Sequence, residues 1–126
     1  MRLKGRAIYD GKAEGTALVS ASPMSFYGGV NPDTGEVVER GNELLGQSVK
    51  GKVLVFPNGK GSTVGSYVLY RMAKNGVAPC AMVNAKCETI VAVGAIISEI
   101  PCVDMVDIGK IKTGARVRVD GATVKF

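Results

Sequence analysis

Ser62 stands in the run Pro57-Asn58-Gly59-Lys60-Gly61-Ser62-Thr63-Val64-Gly65-Ser66-Tyr67, where a short apolar segment gives way to helical spacing. A hydroxyl at such a junction lies against the unpaired N–H groups and partial positive charge of a helix N-terminus. That environment holds a phosphate, a carboxylate or a developing alkoxide. Glycines at 59, 61 and 65 let a ligand approach the backbone closely. The same position is also where a serine simply caps a helix, and cap preference alone favours that plainer role. A nucleotide phosphate loop is excluded. Its lysine is followed directly by Ser or Thr, whereas Gly61 intervenes here and the first glycine stands too close.

Other chemistry-bearing residues are few. The chain has no histidine, which removes the commonest general base and metal ligand and any phosphohistidine carrier mechanism. Cys80, Cys87 and Cys102 are spaced C-x6-C-x14-C, a pattern that matches no compact iron–sulfur or zinc motif. Cys80 and Cys102 follow prolines at the starts of apolar runs, so buried structural thiols are expected rather than metal ligands. An odd number of cysteines without a secretory signal fits a reducing compartment. Lys60 could neutralise a substrate phosphate or carboxylate, although exposed lysine is the default. Glu88, Asp104 and Asp107 are possible acids or bases, but nothing in their spacing raises them above surface or cap residues.

The elements that must position these residues follow from periodicity. Lys52 to Phe56 is apolar and β-branched and stops at Pro57, which predicts a strand buried on both faces. A helix is predicted from about Thr63 to Lys74, with Val64, Val68, Leu69 and Met72 on one side, Ser62 or Thr63 as N-cap and Lys74-Asn75-Gly76 as its end. Strands are expected near Ala81 to Asn84, Glu88 to Val93 and Cys102 to Val106, with a short helix at Gly94 to Glu99. This alternation predicts an α/β fold with a mostly parallel sheet and crossover helices. Arg2 to Tyr9 and Gly15 to Ser20 are expected to form a hairpin or strand pair around Asp10-Gly11-Lys12. Gly114 to Val124 reads as a second hairpin with an Asp-Gly turn. Arg116 and Arg118 share one face of that hairpin and are expected to be solvated, with no ligand role. Ser22 to Gly46 is a long irregular region, of the kind that is functional or packed against something else.

The 126 residues, 46% of them hydrophobic, suit one domain spanning 1–126 that folds without disulfides. The longest apolar stretch, Ile90 to Ile97, is too short to cross a bilayer, and the N-terminus lacks a signal-peptide core. A soluble cytoplasmic protein without membrane attachment is expected. Sixteen basic and eleven acidic residues give a net charge of +5, with the basic ones scattered in ones and twos. No basic cluster interleaves with aromatics, which argues against nucleic acid; the balance suits a small anionic substrate or an acidic partner equally.

The order of these pieces resembles the swivelling small subunit of the aconitase X group. The match rests on Ser25-Phe26-Tyr27-Gly28-Gly29-Val30-Asn31-Pro32-Asp33-Thr34-Gly35, Gly59 to Leu69, Gly76-Val77-Ala78-Pro79, Gly94-Ala95-Ile96-Ile97 and Ile100-Pro101-Cys102-Val103-Asp104, nearly the whole length. The block around Ser62 is its most specific part. The resemblance implies a swivelling β/β/α domain, with a barrel-like core as an alternative to a mostly parallel sheet. It also implies a heterodimer with a large catalytic subunit, and a [4Fe–4S] cluster whose cysteine ligands belong to that subunit. The implied reaction is dehydration of (R)-5-phosphomevalonate to trans-anhydromevalonate 5-phosphate in the archaeal mevalonate route, with Ser62 as proton acceptor. Two other readings stay open: a subunit of a cis-3-hydroxy-L-proline dehydratase, and a non-catalytic module whose long loop docks a partner.

Overall fold

The computed structural model describes residues 1–126. Ten strands and two α-helices follow in the order β1 (Arg2–Lys4), β2 (Arg6–Tyr9), β3 (Lys12–Val19), β4 (Met24–Ser25), β5 (Val53–Phe56), β6 (Gly59–Lys60), α1 (Gly65–Lys74), β7 (Ala81–Asn84), α2 (Thr89–Ser98), β8 (Cys102–Asp104), β9 (Arg116–Asp120) and β10 (Thr123–Lys125). A single 3-10 turn, Ile108–Lys110, precedes β9.

Eight strands form one sheet in the order β1-β10-β9-β3-β5-β7-β8-β2, and β4 and β6 form a separate parallel pair. The sheet is mixed rather than mostly parallel. Only β3 with β5, β5 with β7 and β7 with β8 run parallel; the other four pairings are antiparallel. The order begins at β1 and ends at β2, which do not pair with each other. These edge strands are consecutive in the chain, separated only by Gly5: residues 2–9 pair with β10 by their first half and with β8 by their second. No hairpin joins β2 to β3. The turn at residues 10–11 instead sends β3 across to β9 and β5. At the other end β9 and β10 do form a hairpin; Asp120 pairs with Thr123, so its two loop residues are Gly121 and Ala122 rather than Asp120 and Gly121.

The central parallel strands explain their own sequences. Every residue of β5 is buried, with Leu54 and Phe56 entering one apolar cluster and Val53 and Val55 the other. In the same way Met82 of β7 and Cys102 of β8 face the first cluster, while Val83 and Val103 face the second. Burial on both sides removes the alternation that marks a half-exposed strand. Leu69 and Met72 of α1 and Val91 and Ala95 of α2 cover the first cluster. The long loop joins them: Met24, Phe26, Val30, Val37, Leu44 and Val49 are all buried there, so the segment between β3 and β5 is a cover for the core.

One element differs from its expected type. The β-branched run from Glu88 to Val93 is not a strand; it opens α2, which continues through Ser98. Both oxygens of the Glu88 carboxylate accept from the first turn, Oε2 from the Ile90 N–H and Oε1 from the Val91 N–H, each at 2.7 Å. A charged cap satisfying two orphan donors outweighs the weak strand preference of Ile and Val. The crossover from β7 to β8 also needs a helix to close the core.

Candidate active site

The Ser62 turn is assembled from two distant parts of the chain. β4 runs beside β6, with Met24 opposite Gly59 and Ser25 opposite Lys60. The segment after β4, Ser25 to Gly29, is thereby laid along the turn that leads into α1. Gly61 sits at φ +90°, and a Cβ there would lie 2.7 Å from Ser25 Oγ. Only glycine meets both the left-handed backbone and the contact. Behind the turn, a Cβ on Gly59 would strike Glu88 Oε1 at 2.4 Å, so the cap of α2 packs directly on β6.

Ser62 is exposed and lies outside α1. Helix α1 starts at Gly65 with Val64 as its first flanking residue and no side-chain cap, so neither Ser62 nor Thr63 is the N-cap. The approach is a tight turn instead, in which Gly65 N–H donates to Ser62 O at 2.9 Å and Ser66 N–H to Thr63 O at 3.2 Å. The one hydrogen bond of the Ser62 hydroxyl within the chain is accepted from the Val64 N–H at 3.2 Å. The N–H groups of Gly61, Ser62 and Thr63 donate to no acceptor in the chain. Three consecutive free donors next to a hydroxyl are available to negative charge.

Two shallow hollows flank the turn. Gly61 lines one of about 360 Å³, together with Ser25, Tyr27, Gly29, Glu39 and Lys60. Thr63 lines another of about 320 Å³, with Ser66, Tyr67, Thr89, Ile90 and Val93. In the first, Lys60 Nζ lies 2.8 Å from Glu39 Oε2, and Glu39 Oε1 accepts the Ser25 N–H at 3.2 Å. Lys60, two residues before Ser62, is therefore an exposed cation held by Glu39 rather than a free surface lysine. Glu39 carries no local sequence signal, because it stands in a turn-rich loop and reaches the site only through the pairing of β4 with β6. In the second hollow, Ser66 Oγ donates to Ile90 O at 2.7 Å and fixes the start of α1 against α2.

The other carboxylates have structural partners. Glu88 caps α2. Asp104 is fully buried, accepting from Arg6 Nε at 3.0 Å, Arg6 Nη2 at 2.8 Å and the Cys87 N–H at 2.9 Å. Burial alone would raise its pKa, but the Arg6 guanidinium and the Cys87 N–H outweigh that and hold the carboxyl below its ordinary range. Asp107 precedes the 3-10 turn and makes no cap with its side chain. Cys87 and Cys102 are neighbours, and Cys80 lies apart from them. Cys80 is half-buried against the second apolar cluster, whereas Cys87 packs against the first and Cys102 is buried within it. The Cys87 side chain and burial push the Cys102 thiol far above its usual range, and burial raises Cys80, so both stay protonated thiols. No three His, Cys, Asp or Glu side chains are placed to hold a metal ion.

Comparison with known proteins gives one family. Residues 2–126 match the aconitase X swivel domain. The phosphomevalonate dehydratase small subunit of Thermococcus kodakarensis is 60% identical over 120 residues, covering 95% of this chain and 90% of the relative. The protein of the same description from Methanocella arvoryzae is 59% identical over 124 residues, covering 96% and 94%. Among solved structures, the holo-form crystal structure of Thermococcus kodakaraensis aconitase X superposes with a TM-score of 0.98 at 57% identity, over 99% of this chain and 97% of that one. The solution NMR structure of a UPF0107 protein gives 0.91 at 50% identity, over 100% and 98%. The sheet, the Ser62 turn and the loop laid beside it are thus those of a known architecture, and the chain belongs to the aconitase X swivel-domain family.

Proposed function

We propose that this chain is the small subunit of a phosphomevalonate dehydratase. That hydro-lyase removes water from (R)-5-phosphomevalonate to give trans-anhydromevalonate 5-phosphate in the archaeal mevalonate route, with Ser62 as the proton acceptor. The observation that carries the reading is the Ser62 turn: an exposed hydroxyl with one weak internal hydrogen bond, bordered by three free backbone donors. Relatives at 60% and 59% identity bear the name phosphomevalonate dehydratase small subunit.

Dehydration of a β-hydroxy acid requires a base at the carbon beside the carboxylate while the hydroxyl leaves. Ser62 Oγ is the group offered here for the first task. A helix N-terminus contributes at most about 2 kcal/mol, which lowers a serine pKa by little more than one unit. The donors of Gly61, Ser62, Thr63 and Val64 add to this only in a closed site from which water is excluded. Since the turn lies open, closure falls to the large subunit, as do the [4Fe–4S] cluster and departure of the hydroxyl. The apolar surface around the turn supports such a partner. Val64 and Tyr67 of the α1 entry and Val93 and Ile96 of α2 are exposed, and α2 carries no charged residue. Domain 1–126 would swivel as one body when the site opens and closes.

The testing experiment co-purifies the chain with its large subunit under anaerobic conditions and offers (R)-5-phosphomevalonate and cis-3-hydroxy-L-proline in parallel. Turnover of the phosphate substrate is expected from the pair and none from the small subunit alone. Turnover of hydroxyproline only would replace the substrate assignment, and activity of the isolated small subunit would refute the division of labour.

A further inference from the structure

The basic residues that lie scattered in the sequence are gathered by strand register onto one surface. On the outward side of β1, β10, β9 and β3, one row across the sheet is Arg2, Lys125, Arg118 and Glu14, paired in that order. The next row is Lys4, Thr123, Asp120 and Lys12, and Arg116 stands beyond the first. Valines 117, 119 and 124 alternate with these residues and are buried beneath them in the second apolar cluster. Six basic and two acidic residues thus share this face, leaving ten basic and nine acidic elsewhere: four of the five net positive charges lie here.

Compensation on the face is incomplete. Glu14 is paired with Arg116 at 3.3 Å, and no carboxylate lies within 4 Å of Arg2, Arg118 or Lys125. Arg2 is directly opposite Lys125, and Lys125 is directly opposite Arg118. Like charges facing one another across antiparallel strands destabilise a sheet, with side chains about 5 Å apart at their bases. The three border a concavity of about 550 Å³, larger than either hollow at the Ser62 turn and sharing no residue with them. It is shallow, and the one aromatic on its lining, Phe126, is partly buried against the second apolar cluster rather than set out for stacking, which disfavours single-stranded nucleic acid.

We propose that the Arg2–Lys125–Arg118 row is a binding site for a small, multiply charged phosphorylated anion, separate from the Ser62 turn. Two guanidinium forks and an ammonium in register suit the several oxygens of a diphosphate, and the ligand removes the mutual repulsion of the cations.

The test titrates the full chain with inorganic diphosphate at about 0.15 M salt, where long-range attraction between exposed charges is screened. Calorimetry and amide NMR shifts are the readouts. Saturable binding of one diphosphate per chain is expected, with shifts confined to β1, β9 and β10. Arg118→Gln should weaken it about tenfold, the loss of one charge-assisted contact. Lys74→Gln, which removes the same charge from α1, should leave it unchanged. Non-saturating shifts, equal losses in both variants, or tighter binding of poly-glutamate or duplex DNA than of diphosphate would each overturn the proposal.

Discussion

Replacing Ser62 by alanine separates a catalytic hydroxyl from a structural one, because the structure bounds what the hydroxyl contributes to folding. Its single internal hydrogen bond is the 3.2 Å contact from the Val64 N–H, at an exposed turn outside the helix. Loss of a well-formed cap costs about 1 kcal/mol, and this longer, solvated contact should cost less. For a chain of this size that is a fall in Tm of under about 4 °C. Removal of a general base, by contrast, lowers turnover by roughly 10²–10⁴-fold. The assay compares wild type and Ser62→Ala as complexes with the large subunit, by calorimetric melting, by subunit association and by anaerobic turnover of (R)-5-phosphomevalonate. A folded, assembled variant with turnover down at least about a hundredfold is expected. Activity within a few-fold of wild type would refute the role of Ser62, and a variant that fails to assemble would show that the hydroxyl is structural after all.

Three further perturbations test the framework of the site. Gly61→Ala places a Cβ at φ +90° and 2.7 Å from Ser25 Oγ, so it should cost about 1–3 kcal/mol in urea unfolding and depress turnover by displacing Ser62. Glu88→Ala strips the caps from the Ile90 and Val91 amides; their hydrogen exchange should accelerate well beyond that of α1, with about 1 kcal/mol lost overall. Asp104→Asn should lose about 2 kcal/mol at pH 7, a figure kept modest because Arg6 is 61% exposed. Since the folded carboxyl titrates below its unfolded value of about 3.9, its contribution is present above that pH and lost as pH falls through the folded pKa. The stability gap between wild type and Asp104→Asn, measured by urea unfolding, should therefore narrow in acid; a gap independent of pH would show that the charge of Asp104 plays no part.

What the amino-acid sequence determined by itself was local. The buried strand at Val53–Phe56, the glycine-rich turn carrying Ser62, the helix that follows it and the terminal hairpin are each written in a few adjacent residues, through burial pattern, turn chemistry and period. Local signal failed where two structures suit the same residues. Ile90 to Val93 is as apolar and branched as a strand, and only the Glu88 cap and the need to cover the core make it helical. Pairing partners were illegible for a related reason: the turn at residues 10–11 looks like a hairpin, but β2 finds β8 and β3 finds β5 and β9, which costs long-range loop closure that no local window reports. The same non-local register seats Asp104 against Arg6, brings Glu39 to Lys60, and turns scattered arginines and lysines into one charged face. Side chains in a sheet alternate with period two, so which charges become neighbours depends on the strand opposite, and that is decided only when the whole core packs.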